Sequence, residues 1–216
     1  MTKPRYEAIL FDKDGTIFDS ESSNKHAWMT TTKAYGIDFS DAEYQQFVGI
    51  PTHKCFAIAK IMFPTDFPWD DFFAALRSKI LSAYETGVPF KPGFERFFSH
   101  IKTLNIPIGL VTSAERQGTE LSFASSGYLP DFNVVVTLND VKKPKPSPEP
   151  YLQACKTLGI APERTLVFED SNVGLRSAIN AGCKTIAIPD LDVIDSLIKN
   201  QCYAVLKDFE QAYDLL

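Results

Sequence analysis

The sequence predicts an α/β fold: a parallel sheet with helices on both faces, interrupted after its first strand by an insert made only of helices. Three observations carry this prediction. From Gly93 onward, short apolar runs alternate with segments of helical periodicity. Those runs, such as Val134-Val135-Val136 and Leu166-Val167-Phe168, are apolar at every position, as in strands buried on both faces. Between residues 18 and 89, by contrast, one helical pattern follows another and no convincing strand intervenes.

The first strand is expected over residues 6–11. Its apolar run ends in Asp12 and Asp14, followed at once by Gly15 and Thr16. Alternate side chains of an extended backbone share a face, so the two carboxylates can look into one site while Lys13 points elsewhere. Open α/β sheets place ligand sites at the carboxyl ends of their strands, which is where this pair falls. The same letters also fit an ordinary turn, because Asp and Gly both favour turns. A calcium loop is excluded: its fifth position needs an acid or amide and its sixth a glycine, where this chain has Thr16 and Ile17.

Within the insert, helices are expected over residues 22–35, 41–48, 52–62 and 69–84. Ser40 with Glu43 has the form of a capping box, and Thr52 follows Pro51 as an N-cap. Turn-prone residues 16–19 and the Gly/Pro-bearing stretch 87–92 bound the insert as hinges. The chain therefore divides into a core of residues 1–17 and 90–216 and an insert of residues 18–89. In the core, helices are expected over residues 94–104, 115–125, 148–158 and 174–181, and strands over 108–112, 134–137, 165–168 and 185–188.

The 216 residues suffice for a substantial core, and 22 basic against 27 acidic residues leave a formal charge of −5. That balance argues against nucleic acid as a partner. No apolar stretch reaches the ~18 residues of a membrane span, and the N-terminus lacks a signal-peptide core, so a cytoplasmic protein without membrane partners is expected. Cys55, Cys155, Cys183 and Cys202 are widely spaced with no C-x-x-C pair, as expected of reduced, buried residues.

Three further features fall at strand ends of the core. Thr112 and Ser113 stand between a strand and a helix, where a hydroxyl and helix-start amides can face an anion. Lys145 sits in a Pro-flanked loop ahead of a helix, with Ser147 as cap and Pro148 in the first turn. Glu169 and Asp170 end a strand and open into a small-residue loop. Each has a plain alternative as a helix cap, a solvated lysine or a surface acid pair; their joint order at successive strand ends argues for one site.

Together, D-x-D-G-T at residues 12–16, the strand ending in Thr112, K-P-x-P-E at residues 145–149 and Glu169-Asp170 with G-x-x-S-A-x-x-A-G at residues 174–182 resemble the haloacid dehalogenase (HAD) superfamily. The likeness covers nearly the whole chain. It is to the branch with a helical cap of the C1 type inserted after the first strand, and within it to phosphatases such as phosphoglycolate phosphatase and to beta-phosphoglucomutase. It implies a Rossmann-like core and a Mg2+-dependent phosphatase acting on a small phosphorylated metabolite through an aspartyl phosphate on Asp12. The metal ligands it implies are Asp12, Asp170 and the backbone carbonyl of Asp14, with Glu169 direct or through water. Lys145 would compensate Asp12 and the transferring group, while Thr112 and the Ser113 amide would hold phosphate oxygens. Asp14 would be the general acid and base.

An ordinary carboxylate is already ionised at neutral pH, so Asp12 needs no activating base; its difficulty is repulsion by phosphate and neighbouring acids, which cations offset. Asp14 and the Glu169-Asp170 pair argue against dehalogenase chemistry. Beta-phosphoglucomutases place a histidine shortly after the first motif and an arginine in the cap loop after G-x-x; this chain has Asn24 and, after Gly49, Thr52, although His26 and His53 lie close. A non-catalytic phosphate-binding protein would not need both a nucleophile and an acid. Thr52, His53 and Lys54 match in position a loop that enters the site in related caps, and are either contacts to the leaving group or a solvated helix start. A monomer or weak homodimer is expected.

Overall fold

The computed structural model describes residues 6–48, 52–191 and 193–216, with the side chains of residues 52 and 53 outside that description. Its centre is a six-stranded parallel sheet, formed by β1 (Ala8–Phe11), β2 (Ile108–Val111), β3 (Val134–Val136), β4 (Thr165–Glu169), β5 (Lys184–Ala187) and β6 (Ala204–Val205) in the order β3-β2-β1-β4-β5-β6. The chain builds outward from β1 in both directions, so β1 is central and flanked by β2 and β4. This is the doubly wound order, whose ligand crevice opens at the carboxyl ends of the strands where the winding reverses.

The period of two in β1 divides the core. Ile9 and Phe11 face one side, where Phe94, Phe97, Phe98, Phe168 and Phe209 pack around them, whereas Leu10 faces the other with Val111, Val167, Tyr151 and Ala154. Phe11 stacks on Phe168 with ring centroids 5.2 Å apart and meets Phe94 edge-on at 5.8 Å. Helix α5 (Phe94–Lys102) supplies much of the aromatic side. The other side is covered by α7 (Glu149–Leu158), with α6 (Arg116–Phe123), α8 (Asn172–Asn180) and α9 (Ser196–Lys199) completing the core. The continuously apolar strands are thus buried on both faces, as their composition predicts.

Helices α1 (Ser20–Ala34), α2 (Asp41–Tyr44), α3 (Thr52–Met62) and α4 (Trp69–Thr86) gather around a separate aromatic cluster of Trp28, Phe39, Phe47, Phe63 and Phe72. The Ser40–Glu43 capping box forms as expected. The segments leading out and back run side by side: Asp19 N donates to Pro89 O and Lys91 N donates to Ile17 O, both at 2.8 Å. Lys91 also pairs with Asp190, in the loop after β5, at 2.7 Å.

The differences from the sequence reading are confined to ends and short pieces. Residues 41–48 form one α-helical turn and then the 3-10 turn Gln45–Phe47, and β6 with the 3-10 stretch Phe209–Leu215 was not anticipated. A two-residue edge strand carries too little alternation to register as a pattern. Cys55, Cys155 and Cys183 are buried, Cys202 is half-buried, and all four are unbridged. Among the described residues no helix is long and apolar enough to cross a membrane.

Phe11 holds both the sheet and five aromatic neighbours in register. Phe11→Ala is expected to destabilise the protein by ~3–5 kcal/mol, measured by urea denaturation, because the surrounding rings cannot collapse into the space.

Candidate active site

Asp12 follows the last residue of β1, with its amide donating to Phe168 O of β4 at 3.0 Å, so the sheet itself aims this carboxylate. Lys145 reaches the same point from the loop before α7. Its Nζ donates to Asp12 Oδ1 and Glu169 Oε1, both at 2.6 Å, and to Val111 O at the end of β2 at 2.9 Å. One buried ammonium therefore ties together the ends of three adjacent strands.

Glu169 is fully buried and spends both oxygens on the protein. Oε1 accepts from Lys145 and from Tyr151 Oη at 3.1 Å, and Oε2 accepts from the amides of Asp170 and Ser171 and from Ser171 Oγ. Gly174 makes room for it, since a Cβ there would lie 1.6 Å from Oε1. Asp170 is held by Thr16, whose Oγ1 donates to Oδ1 at 2.9 Å. Gly15, at φ +80°, lets Asp170 approach; a Cβ on it would lie 2.2 Å from Oδ2. The glycine of D-x-D-G-T thus answers both a left-handed backbone and a close carboxylate.

Oxygens of Asp12, Glu169 and Asp170 lie within 4.8 Å of one another, all buried. Burial, partly offset by Lys145, pushes the Asp12 carboxyl up to about 7. Asp170 is pushed well above the usual carboxylate range by burial and then by Glu169 and Asp12, with only the Thr16 hydroxyl opposing. Asp12 thus departs from the expectation that it keeps an ordinary acidity: the enclosure that serves the site also disfavours its anion. Among the described residues Lys145 pairs with two of the three acids, Asp12 and Glu169, and the donor set of the cluster is all oxygen. That arrangement fits a small, hard divalent cation such as Mg2+.

Thr112 is buried after β2, and its Oγ1 accepts from Ala114 N at 3.0 Å, which leaves the hydroxyl hydrogen to donate. Ser113 is exposed beside it, and its amide makes no backbone hydrogen bond among the described residues. The Asp14 carboxylate stands outside the three-acid group. Its Oδ1 accepts from Lys13 Nζ at 2.7 Å and from Tyr84 Oη of α4 at 3.4 Å. Lys13 therefore does not simply point elsewhere: it lies in the bend after β1, and its side chain meets Asp14. Lys54 is exposed on α3, while the side chains of Thr52 and His53 fall outside the described residues. His26 is exposed on α1.

Sequence reasoning missed Lys13, Tyr84, Tyr151, Ser171 and Glu21. Tyr151 and Ser171 stand next to recognised motifs, and proximity was the only available signal. Glu21, on the first turn of α1, is pushed up to about 7 by burial and then by Asp190 and Asp14. It faces the strand ends from the insert side, a juxtaposition that spacing alone does not reveal.

A family model described as haloacid dehalogenase-like hydrolase matches residues 9–188. The chain is 27% identical over 206 residues to the validoxylamine A 7'-phosphate phosphatase of Streptomyces hygroscopicus subsp. limoneus, covering 95% of both chains. It is 32% identical over 203 residues to hexitol phosphatase A of Escherichia coli, covering 90% of this chain and 91% of that one. Among solved structures, the putative beta-phosphoglucomutase of Thermotoga maritima superposes with a TM-score of 0.84 at 24% identity, covering 97% of this chain and 98% of that one, a likeness of fold.

The raised pKa of Glu21 gives a pH-dependent stability. Below its ordinary value of 4.5 the group is neutral folded or unfolded; as pH rises toward about 7 the unfolded chain releases the proton first, so stability falls across that window. Glu21→Gln should therefore gain up to about 3 kcal/mol over the parent at pH 8 and little at pH 5, read from urea midpoints at the two pH values.

Proposed function

Because the chain belongs to the haloacid dehalogenase-like hydrolase family, in its phosphatase branch, we propose that it hydrolyses a small sugar phosphate, or a phosphoglycolate-type monoester, through a phosphorylated Asp12. The observation that carries this reading is the state of Asp12. It is buried at a strand end, held through Oδ1 by Lys145, and Oδ2 makes no hydrogen bond among the described residues. An oriented carboxylate with one open oxygen is a nucleophile.

In the first step an Asp12 oxygen bonds to phosphorus as the bond to the leaving oxygen breaks, and Asp14 gives that oxygen its proton. In the second, Asp14 takes a proton from water, the water oxygen bonds to phosphorus, and the Asp12–phosphorus bond breaks to restore the carboxylate. Lys145 offsets the negative charge of Asp12 and of the phosphoryl group, while the Thr112 hydroxyl and Ser113 amide are placed to donate to phosphoryl oxygens. Asp12, Asp170 and the Asp14 carbonyl would hold Mg2+, which when bound supplies positive charge against the phosphate. Glu169, with both oxygens engaged, serves this site by holding Lys145 and the loop after β4.

Residues 18–89 act in this reading as a cap that closes over the substrate and selects it, with Thr52, His53 and Lys54 as contacts to the leaving group. Two relatives, named as a validoxylamine A 7'-phosphate phosphatase and a hexitol phosphatase, support the substrate class. The mutase alternative is not favoured: His26, the histidine nearest the relevant position after the first motif, is exposed on α1.

The test is a panel of phosphorylated polyols, sugars and phosphoglycolate with Mg2+. Asp12→Asn should lower kcat by at least about 10³-fold on every responsive ester while leaving the circular dichroism unchanged. Chelation of divalent cations should abolish turnover and added Mg2+ restore it. Asp14→Asn should slow phosphoenzyme formation far more for an alkyl than for an aryl phosphate, since only the former leaving group needs the proton. Substantial turnover by Asp12→Asn, or full activity in excess chelator, would contradict the mechanism.

A further inference from the structure

The side chain of Lys13 is only 2% exposed, between the two acids of the first motif. A methionine or leucine would fill such a place without an ammonium group to take out of water. The ammonium is partnered on one side by Ser122 Oγ of α6 at 3.0 Å, and Ser122 is itself tied to Gly118 O at 2.8 Å. On the other side is Asp14 Oδ1 at 2.7 Å. The rings of Phe18 and Tyr84 lie within 6.0 Å and 5.5 Å of Nζ and close off the remaining directions. Lys13 touches none of the three clustered acids; among the described residues its charge is spent on Asp14. Tyr84, which comes from the insert helix α4, donates to the same Asp14 oxygen at 3.4 Å.

We infer that Lys13 is a positioning residue for Asp14: anchored on Ser122 in the core, its ammonium takes Oδ1 and leaves Oδ2 for the leaving group and water, while Tyr84 links that placement to the insert. The inference rests on the phosphatase reading and concerns where Asp14 is held. Without the ammonium, the Asp14 carboxylate keeps one distant donor and can swing, so the proton it handles is misplaced while the phosphate subsite around Lys145 and Thr112 is untouched.

The experiment compares an alkyl with an aryl phosphate on the full chain with Mg2+. In single turnover, Lys13→Met should lower the rate of phosphoenzyme formation about tenfold on the alkyl ester and much less on the aryl ester, so that the alkyl-to-aryl ratio of formation rates falls. In an Asp14→Asn background the same substitution should leave the alkyl-to-aryl ratio unchanged, because the group it positions is already disabled. Ser122→Ala, which removes the anchor and keeps the cation, should move the ratio the same way by a smaller factor, and it carries the test if Lys13→Met does not fold. Tyr84→Phe should also lower the ratio.

Equal loss of the phosphoenzyme formation rate on both esters, or a further fall of the ratio in the Asp14→Asn background, would overturn the role of Lys13. An unmoved ratio in Tyr84→Phe would overturn the link to the insert. If the parent protein turns over neither ester nor any member of the metabolite panel, the phosphatase reading fails first and this inference with it. Parent turnover with an unmoved ratio in Lys13→Met overturns this inference alone.

Discussion

The arrangement depends on one buried ammonium placed equidistant, at 2.6 Å, from oxygens of Asp12 and Glu169. Desolvating a carboxylate is expensive, and three in contact would repel one another as well. Lys145 makes two of them tolerable, and its bond to Val111 O fixes the height at which it does so. Much of the surrounding architecture maintains that position. Tyr151, Ser171 and two amides saturate Glu169 so that it stays where the ammonium needs it, and Gly174 leaves the volume in which it can stand. Removing Lys145 would strand buried charge, a larger perturbation than the loss of one ion pair.

The same reasoning separates what was legible in the sequence from what was not. Continuous apolar runs read directly as strands because burial on both faces leaves no polar position, and the acids ending them read as a site because strand ends converge. The run of helices α1 to α4 after β1 was visible as a change of periodicity. Lys13 was misread for a specific reason: alternation applies to extended backbone, whereas β1 ends at Phe11 and Lys13 lies in the bend that follows. Tyr84 and Glu21 reach the strand ends from the insert, and such convergence depends on how two packed units are set against each other, which local pattern does not encode. The acidity of Asp12 likewise follows from enclosure, a property of the folded surroundings and not of the residue. Edge strand β6 escaped notice because two residues present no pattern at all.

The two linkers carry a consequence of another kind. Since Asp19 N and Pro89 O are hydrogen-bonded partners, the polypeptide leaves the sheet and rejoins it at one place, and the covalent connection between core and insert is a pair of adjacent strand-like threads. Closing a loop of any length at a fixed junction varies in free energy only slowly with the number of residues enclosed. A segment of different size, shape and surface could therefore be spliced in at that seam without altering the distance the core must span. On the proposed reading, in which the insert selects the substrate, such an exchange would change what is recognised while leaving the strand-end apparatus intact.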